Sequence, residues 1–498
     1  MLKFKTLSNF KAQNPSEWWF ITSGSILLLA FTLRLWGLGA ESAWIDEAYS
    51  IALAKHSIIE ILQGTAADQH PPLYYLLLHY WLLFGSSVVY ARALSLVVGM
   101  IHIGQTLQFG RKLAGDWLAL GTGLLLAISP MHVWYSQEVR MYILLASLTT
   151  AATAELWDCL QGKNRWLLYV LFSILAIYTQ YFAIFVFGAH ALLVLAWAWM
   201  KREKRGVFYW AGTMFVVGLA FLPWFPIALN QSRFHTLSWL EPPGMTDFRD
   251  TLLRLLFGSG VLAFPGWMRW AGLVSLGALS IWAVIRLQQR NSPHRQSFGF
   301  VATWAFVPFF VVAVIALVYP IFQFKQFLIV LLPLLLWIAW VCRITPRLLG
   351  GLLLAAILAL SSVYLVYQQV KLTKDDWRGA SAYLQAQMAP RDMLYSNPAA
   401  SYLALSLYGN LLMPSDGYPP NYDIVQGGWD GEILTSEIAD NILKSTTAGY
   451  SRLWLVEYSP EFWDPEKAIP SWLNTHANLI DDQYFGRIHM RLYRLGEK

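Results

Sequence analysis

Residues 297–342 read SFGFVATWAFVPFFVVAVIALVYPIFQFKQFLIVLLPLLLWIAWVC, and Lys325 is the only charged side chain among these 46 positions. A helix needs about 20 apolar residues to cross a hydrocarbon core about 30 Å thick. The stretch therefore predicts two crossings, 297–319 and 326–342, joined by an aromatic turn around Lys325. Working outward, further apolar runs occupy 17–39, 89–110, 117–134, 141–160, 166–180, 182–200, 207–229, 267–287 and 347–368. The chain of 498 residues is 56% hydrophobic and 13% charged, with 25 Trp, 24 Tyr and 28 Phe. Soluble domains are about 25% charged. This composition excludes a soluble enzyme and a disordered regulator. Two cysteines, Cys159 and Cys342, without Cys-x-x-Cys spacing, exclude a disulfide scaffold.

Charge placement orders the spans. Basic clusters stand at Lys3/Lys5/Lys11, Arg111/Lys112, Lys163/Arg165, Lys201/Arg202/Lys204/Arg205, Arg286/Arg290/Arg295 and Arg343/Arg347. Short cytoplasmic loops collect Lys and Arg. All six clusters share one side if the chain crosses eleven times and the shorter apolar stretch 71–84 lies on the surface. Residues 40–88 then form one long outer loop, and 135–140 and 230–266 also face outward. Residues 1–369 hold 25 Lys and Arg against 14 Asp and Glu, whereas 370–498 hold 11 against 16. The net charge of +6 is thus unevenly divided and does not imply nucleic acid. The expected architecture is an all-α polytopic membrane domain, 1–369, followed by a small extracytoplasmic α/β domain, 370–498. In that tail the sequence predicts a helix at 376–388, a strand near 391–396, a helix cap at Ser396-Asn397-Pro398, and strands at 452–458 and 477–495.

Acidic residues are scarce in the membrane part, and none lies between 251 and 369. A lone carboxylate at a membrane surface is costly to bury, so it has a job or a partner. Asp46-Glu47 follows the first span. The pair reads either as a catalytic centre or as Asp46 capping a helix over 47–63. His70-Pro71-Pro72-Leu73-Tyr74-Tyr75 starts the surface helix, with Asp68 and His70 at its positive end. Those two read either as polar groups of the site, including part of a divalent-metal site, or as helix punctuation; two further ligands are unplaced. In Ser136-Gln137-Glu138-Val139-Arg140, Glu138 and Arg140 either pair with each other or Arg140 meets an anion, which suits a guanidinium. Lys325 either snorkels at a helix end or binds a lipid phosphate. Arg233, His235, Arg249 and Arg254 add positive charge to the outer segment 231–266.

Taken in order, these motifs resemble the polyprenyl-phosphate-sugar-dependent glycosyltransferases of superfamily C. The branch they are most similar to comprises bacterial relatives of protein O-mannosyltransferases and lipid A aminoarabinose transferases. The resemblance spans nearly the whole chain and includes Lys374-Asp375-Asp376-Trp377-Arg378 at the start of the tail. It implies an inverting sugar transfer at the outer face of a bacterial plasma membrane, from a polyprenyl-phosphate carrier to a lipid, glycan or protein hydroxyl. It implies Asp46 and Glu47 as the catalytic pair, with Asp46 as general base and Glu47 as its structural or acceptor-side neighbour. His70, Tyr74, Gln137, Glu138, Arg140 and Lys325 are then substrate-binding. Lys325 stands where many relatives carry an arginine, so it keeps the charge but loses the two-pronged fork. Two other classes share parts of this layout: a flippase of lipid-linked sugars, and a polymerase or ligase of whole glycans. The absence of charge in 297–319 and 348–368 argues against polar mid-membrane helices of the transporter kind.

Overall fold

The computed structural model describes residues 17–232, 242–289, 295–371, 374–411, 413–427 and 432–496. Lys3, Lys5, Lys11, Arg233, His235 and Arg290 lie outside the described residues. The membrane body runs through α1 (Glu17–Leu35), the loop helices α2 (Ile45–Ala54), α3 (Ile58–Ala67) and α4 (Leu73–Leu82), then α5 (Val88–Ala114), α6 (Asp116–Ile128), α7 (Pro130–Ser136), α8 (Tyr142–Leu160) and α9 (Trp166–Thr179). It continues through α10 (Ala183–Lys201), α11 (Arg205–Phe221), α12 (Phe225–Gln231), α13 (Met245–Phe257), α14 (Gly266–Gln289), α15 (Arg295–Ala316), α16 (Leu328–Ile344) and α17 (Arg347–Val370). The chain is a multi-pass membrane protein. Among the described residues eight helices are long and apolar enough to cross a bilayer. Ten result if the bent pairs α6–α7 (63°) and α11–α12 (77°) each count as one crossing.

The expected eleven runs are these ten and α9. Helix α9 is apolar but has only 14 residues, about 21 Å at 1.5 Å per residue, short of the bilayer core. Gln180 stops it: its amide accepts from the Phe182 backbone N–H and donates to Gln326, both at 2.6 Å. The helix α4, at ten residues, is too short to cross.

The α6–α7 bend is built locally. Pro130 takes the first position of α7, and Ser129 caps it by accepting from the His132 N–H at 3.4 Å. The bend orphans carbonyls at the end of α6, which hydrocarbon cannot satisfy. Arg34, fully buried on α1, donates to Leu126 and Ala127 carbonyls at 3.1 and 2.9 Å and to His132 Nδ1 at 2.7 Å. The bend delivers residues 137–141 to the 40–88 loop.

The helices of the 40–88 loop differ from expectation. Trp44, not Asp46, is the N-cap residue of α2, and Asp46 stands in the first turn. The run to 63 is two helices, because Ser57 and Glu60 form a capping box that restarts the chain as α3.

Beyond α17 come α18 (Trp377–Gln387), β1 (Asp392–Asn397), α19 (Ser401–Ser406), β2 (Ser415–Gly417), α20 (Ser436–Thr446), β3 (Arg452–Glu457), α21 (Ala468–His476), β4 (Ala477–Phe485) and β5 (Ile488–Leu495). They build a five-stranded sheet in the order β2-β1-β3-β5-β4. Strand β1 is parallel to both β2 and β3, and β5 is antiparallel to β3 and β4. The expected cap at Ser396-Asn397 is instead the end of β1, since the ladder runs on to Asn397 opposite Glu457. The helix starts later, at Ser401. The turn of the β4–β5 hairpin needs Gly486: its φ is +72°, and an added Cβ would lie 2.7 Å from the Asp375 carboxylate.

This sheet domain sits directly on the 40–88 loop. Ile45 and Ala48 of α2 share a core with Trp377, Leu394, Ala400, Ala404 and Leu405. Tyr49 and Leu53 on the next turn pack with Ile61, Tyr75, Leu403 and Ile424. Helix α2 is therefore clamped between the membrane body and the sheet domain.

Candidate active site

Four segments converge around the first turn of α2. The Asp46 Oδ2 atom lies 3.8 Å from Arg140 Nη2 and 3.7 Å from Lys325 Nζ. Both distances exceed hydrogen-bond range, so charge rather than direct bonding holds this carboxylate. Its side chain is 31% exposed. Arg140 donates to His70 Nε2 at 2.9 Å and reaches the Ser50 and Tyr75 hydroxyls at 3.3 and 3.4 Å. Lys325 sits in a 3₁₀ turn, Phe324–Phe327, leading into α16, with its ammonium 5.7 Å from the Trp44 ring and 5.6 Å from the Tyr142 ring. That is cation–π range. The two cations flank the ends of α8 and α16, which are the most buried of the long apolar helices. Their positions are fixed by packing.

Glu47 is the opposite of its neighbour. It is fully buried. Its Oε1 accepts from Arg92 Nε at 2.8 Å and from the Val139 N–H at 3.1 Å. Its Oε2 accepts from Arg92 Nη2 and from Lys374 Nζ, each at 2.8 Å. All four lone-pair positions of the carboxylate are filled. Burial pushes the carboxyl up, but Lys374 and Arg92 outweigh it and hold the group down at about 2. Arg92 spends its other donors on the Leu38, Glu41 and Ser42 carbonyls, tying the loop before α2 to α5.

The other expected residues divide. His70 and Asp68 join the Asp46 cluster. Burial, helped by Arg140 and Lys325, keeps His70 well below the usual imidazole range. It is therefore neutral and accepts from Arg140. A ring nitrogen facing a guanidinium is a poor metal ligand, and among the described residues no three His, Cys, Asp or Glu side chains gather as a ligand set. Glu138 lies beside the cluster: it is buried, accepts from Trp134 Nε1 at 2.7 Å, and burial pushes its carboxyl up. Gln137 points elsewhere, donating to the Arg34 and Trp36 carbonyls and accepting from Gln369. Tyr74 faces Ser95 at 3.4 Å, and it is Tyr75 that meets Arg140. Arg249 pairs with Asp250 at 2.6 Å, and Arg254 stacks on Phe324 at 4.8 Å. Sequence reading missed Arg92, Lys374, Tyr75 and Tyr142. Arg92 carried a signal, being a lone cation inside an apolar span.

Asp68 supplies a prediction. Burial, against the pull of Arg140, pushes its carboxyl up from 3.8 to about 6. A carboxyl raised in the folded state favours folding while protonated, and that contribution is lost as pH climbs from 3.8 through about 6. Discounted for partial exposure, the loss is on the order of 1–2 kcal/mol. The melting temperature of Asp68→Asn is therefore expected to change less between pH 4 and 7 than that of the wild type. Parallel melting curves for the two proteins would refute this.

Comparison with known proteins bears on the fold. No family model and no curated sequence matches the chain. Among solved structures, ArnT from Cupriavidus metallidurans in the apo state superposes with a TM-score of 0.59 at 15% identity, covering 95% of this chain and 97% of that one. The same protein bound to undecaprenyl phosphate gives 0.59 at 14% identity, covering 96% and 98%. The oligosaccharyltransferase AglB of Archaeoglobus fulgidus, in complex with an inhibitory peptide and a dolichol-phosphate, gives 0.55 at 10% identity, covering 97% and 74%. The chain shares its fold with ArnT and AglB. At these identities the likeness concerns the course of the backbone, and the chemistry has to be argued from this chain's own side chains. The likeness extends through the sheet domain, since the match to ArnT covers nearly the full length of both chains.

Proposed function

We propose that this protein is a membrane glycosyltransferase that moves a sugar from a polyprenyl-phosphate carrier to a hydroxyl acceptor in one inverting displacement. We place the reaction at the extracytoplasmic face of a bacterial plasma membrane. The observation that carries the reading is Asp46, a partly exposed carboxylate held only by the charges of Arg140 and Lys325. The solved structures of the same fold, with undecaprenyl phosphate or dolichol-phosphate bound to them, support a carrier of that class.

The mechanism follows from the charges. The carrier phosphate takes Arg140 and Lys325 as its counter-ions. Competition for those two cations withdraws them from Asp46 and makes its carboxylate a better base. Asp46 then accepts the proton of the acceptor hydroxyl as that oxygen attacks the anomeric carbon. The bond from the anomeric carbon to the phosphate oxygen breaks, and the electron pair leaves with the carrier phosphate, whose new charge the two cations meet. One displacement inverts the anomeric configuration. Neutral His70 orients the Arg140 fork, and Glu47, with every lone pair taken, positions Asp46.

The test is incubation of the purified chain with a panel of polyprenyl-phosphate sugars, scoring release of carrier phosphate and the anomeric configuration of the product. Release with inversion is expected for at least one donor. Retention would point to two displacements, and movement of intact donor across vesicles without bond cleavage would favour transport.

A further inference from the structure

We propose that Lys374, at the entrance to the sheet domain, is a positioning residue for the Asp46 site and acts through Glu47. This rests on the glycosyltransferase reading above and extends it to a part of the chain outside the membrane. Four observations converge on it. Lys374 Nζ lies 2.8 Å from Glu47 Oε2, and the side chains are 9% and 0% exposed. This is a buried pair, whose disruption by loss of one partner is far costlier than that of a surface pair. Glu47 is adjacent in sequence to Asp46, and the backbone N–H it accepts belongs to Val139, adjacent to Arg140. One carboxylate therefore sets both the expected base and one expected phosphate cation. Of its four bonds, three come from the membrane body and the fourth comes from the sheet domain.

The remaining contacts fix Lys374 in place. Its backbone N–H donates to Glu41 Oε1 at 3.1 Å. Arg378 N–H donates to Ser42 Oγ at 3.1 Å, Arg378 Nη2 to the Gly39 carbonyl at 3.2 Å, and the Ala43 N–H to the Tyr408 hydroxyl at 2.6 Å. Asp375 is held by Arg487 in the β4–β5 turn. The sheet domain thus grips residues 39–43, which lead into α2, and inserts one ammonium beneath it. A displacement of about 1 Å in a reacting group costs up to 10²-fold in rate, so a small relaxation of α2 is enough to be seen.

The experiment compares Lys374→Met, Lys374→Arg, Glu47→Gln and the Glu47→Gln/Lys374→Met double variant in the full chain. For Lys374→Met we expect kcat to fall by about 10- to 100-fold with donor KM within about threefold, and Lys374→Arg to restore most of it, since the cation is kept. The double variant removes one of the two cations that Glu47→Gln leaves without their carboxylate and is expected to be no slower than Glu47→Gln alone, because both changes break one linkage. Hydrogen exchange supplies a readout that needs no substrate: Lys374→Met should lower protection in 45–54 and 137–141 while α8 and α16 stay protected. Multiplicative kinetic losses in the double variant, or Lys374→Met with wild-type kcat and protection, would overturn the proposal. A wild-type chain inert toward every donor, combined with lost protection in Lys374→Met, would reject the glycosyltransferase reading and leave the positioning role standing.

Discussion

Asp46→Asn leaves the protein folded and inserted but lowers sugar transfer by about 10²–10⁴-fold, the usual contribution of a general base. The exchange is nearly isosteric, and Asp46 makes only long charge contacts, at 3.7 and 3.8 Å, from a partly exposed position. Melting behaviour should therefore stay close to wild type. The kinetic pattern should be distinctive. With the carboxylate gone, Arg140 and Lys325 keep their charges but lose their anion, so free carrier phosphate should bind and inhibit several-fold more tightly. A lower kcat with an unchanged or lower donor KM is the expected signature. Transfer within tenfold of wild type would remove Asp46 from the mechanism.

Arg140→Met should lower kcat/KM for the donor by about 10²–10³-fold, the scale for losing one donor to a developing anion. Arg140→Lys should fall between. It restores a charge but cannot reach His70, Ser50 and Tyr75 at once, as the guanidinium does at 2.9, 3.3 and 3.4 Å. Binding of carrier phosphate alone, measured by calorimetry, should weaken in both. Unaltered phosphate affinity in Arg140→Met would mean that the anion sits elsewhere.

The apolar helices of the membrane body were legible because hydropathy reports directly on solvent. The capping box at Ser57 and Glu60 was also present in the sequence, yet the run 47–63 looked like one helix because both pieces are apolar. In the sheet domain, the pairing of β1 on both sides overrode a local cap signal at Ser396-Asn397. The site divided for a different reason. Asp46, His70, Arg140 and Lys325 come from four segments that order along the chain could nominate but not orient. Which of Tyr74 and Tyr75 faces Arg140 depends on the rotation of α4, and which of Asp46 and Glu47 is sealed depends on Arg92 and Lys374. Those partners lie 45 and 327 residues away, beyond the reach of any local pattern.

Arg34 bears on how the chain is made. Arg34 stands in the last turn of α1, where an arginine disfavours insertion of an isolated segment by less than the roughly 2.5–3.5 kcal/mol it costs at a helix centre. Its acceptors at Leu126, Ala127 and His132 are synthesised some ninety residues later. At a ribosomal pace of roughly 5–20 residues per second, α1 waits several seconds for them. The nascent first helix therefore has reason to linger beside the translocon, or at the bilayer margin, until α6 and α7 emerge and complete the early folding unit.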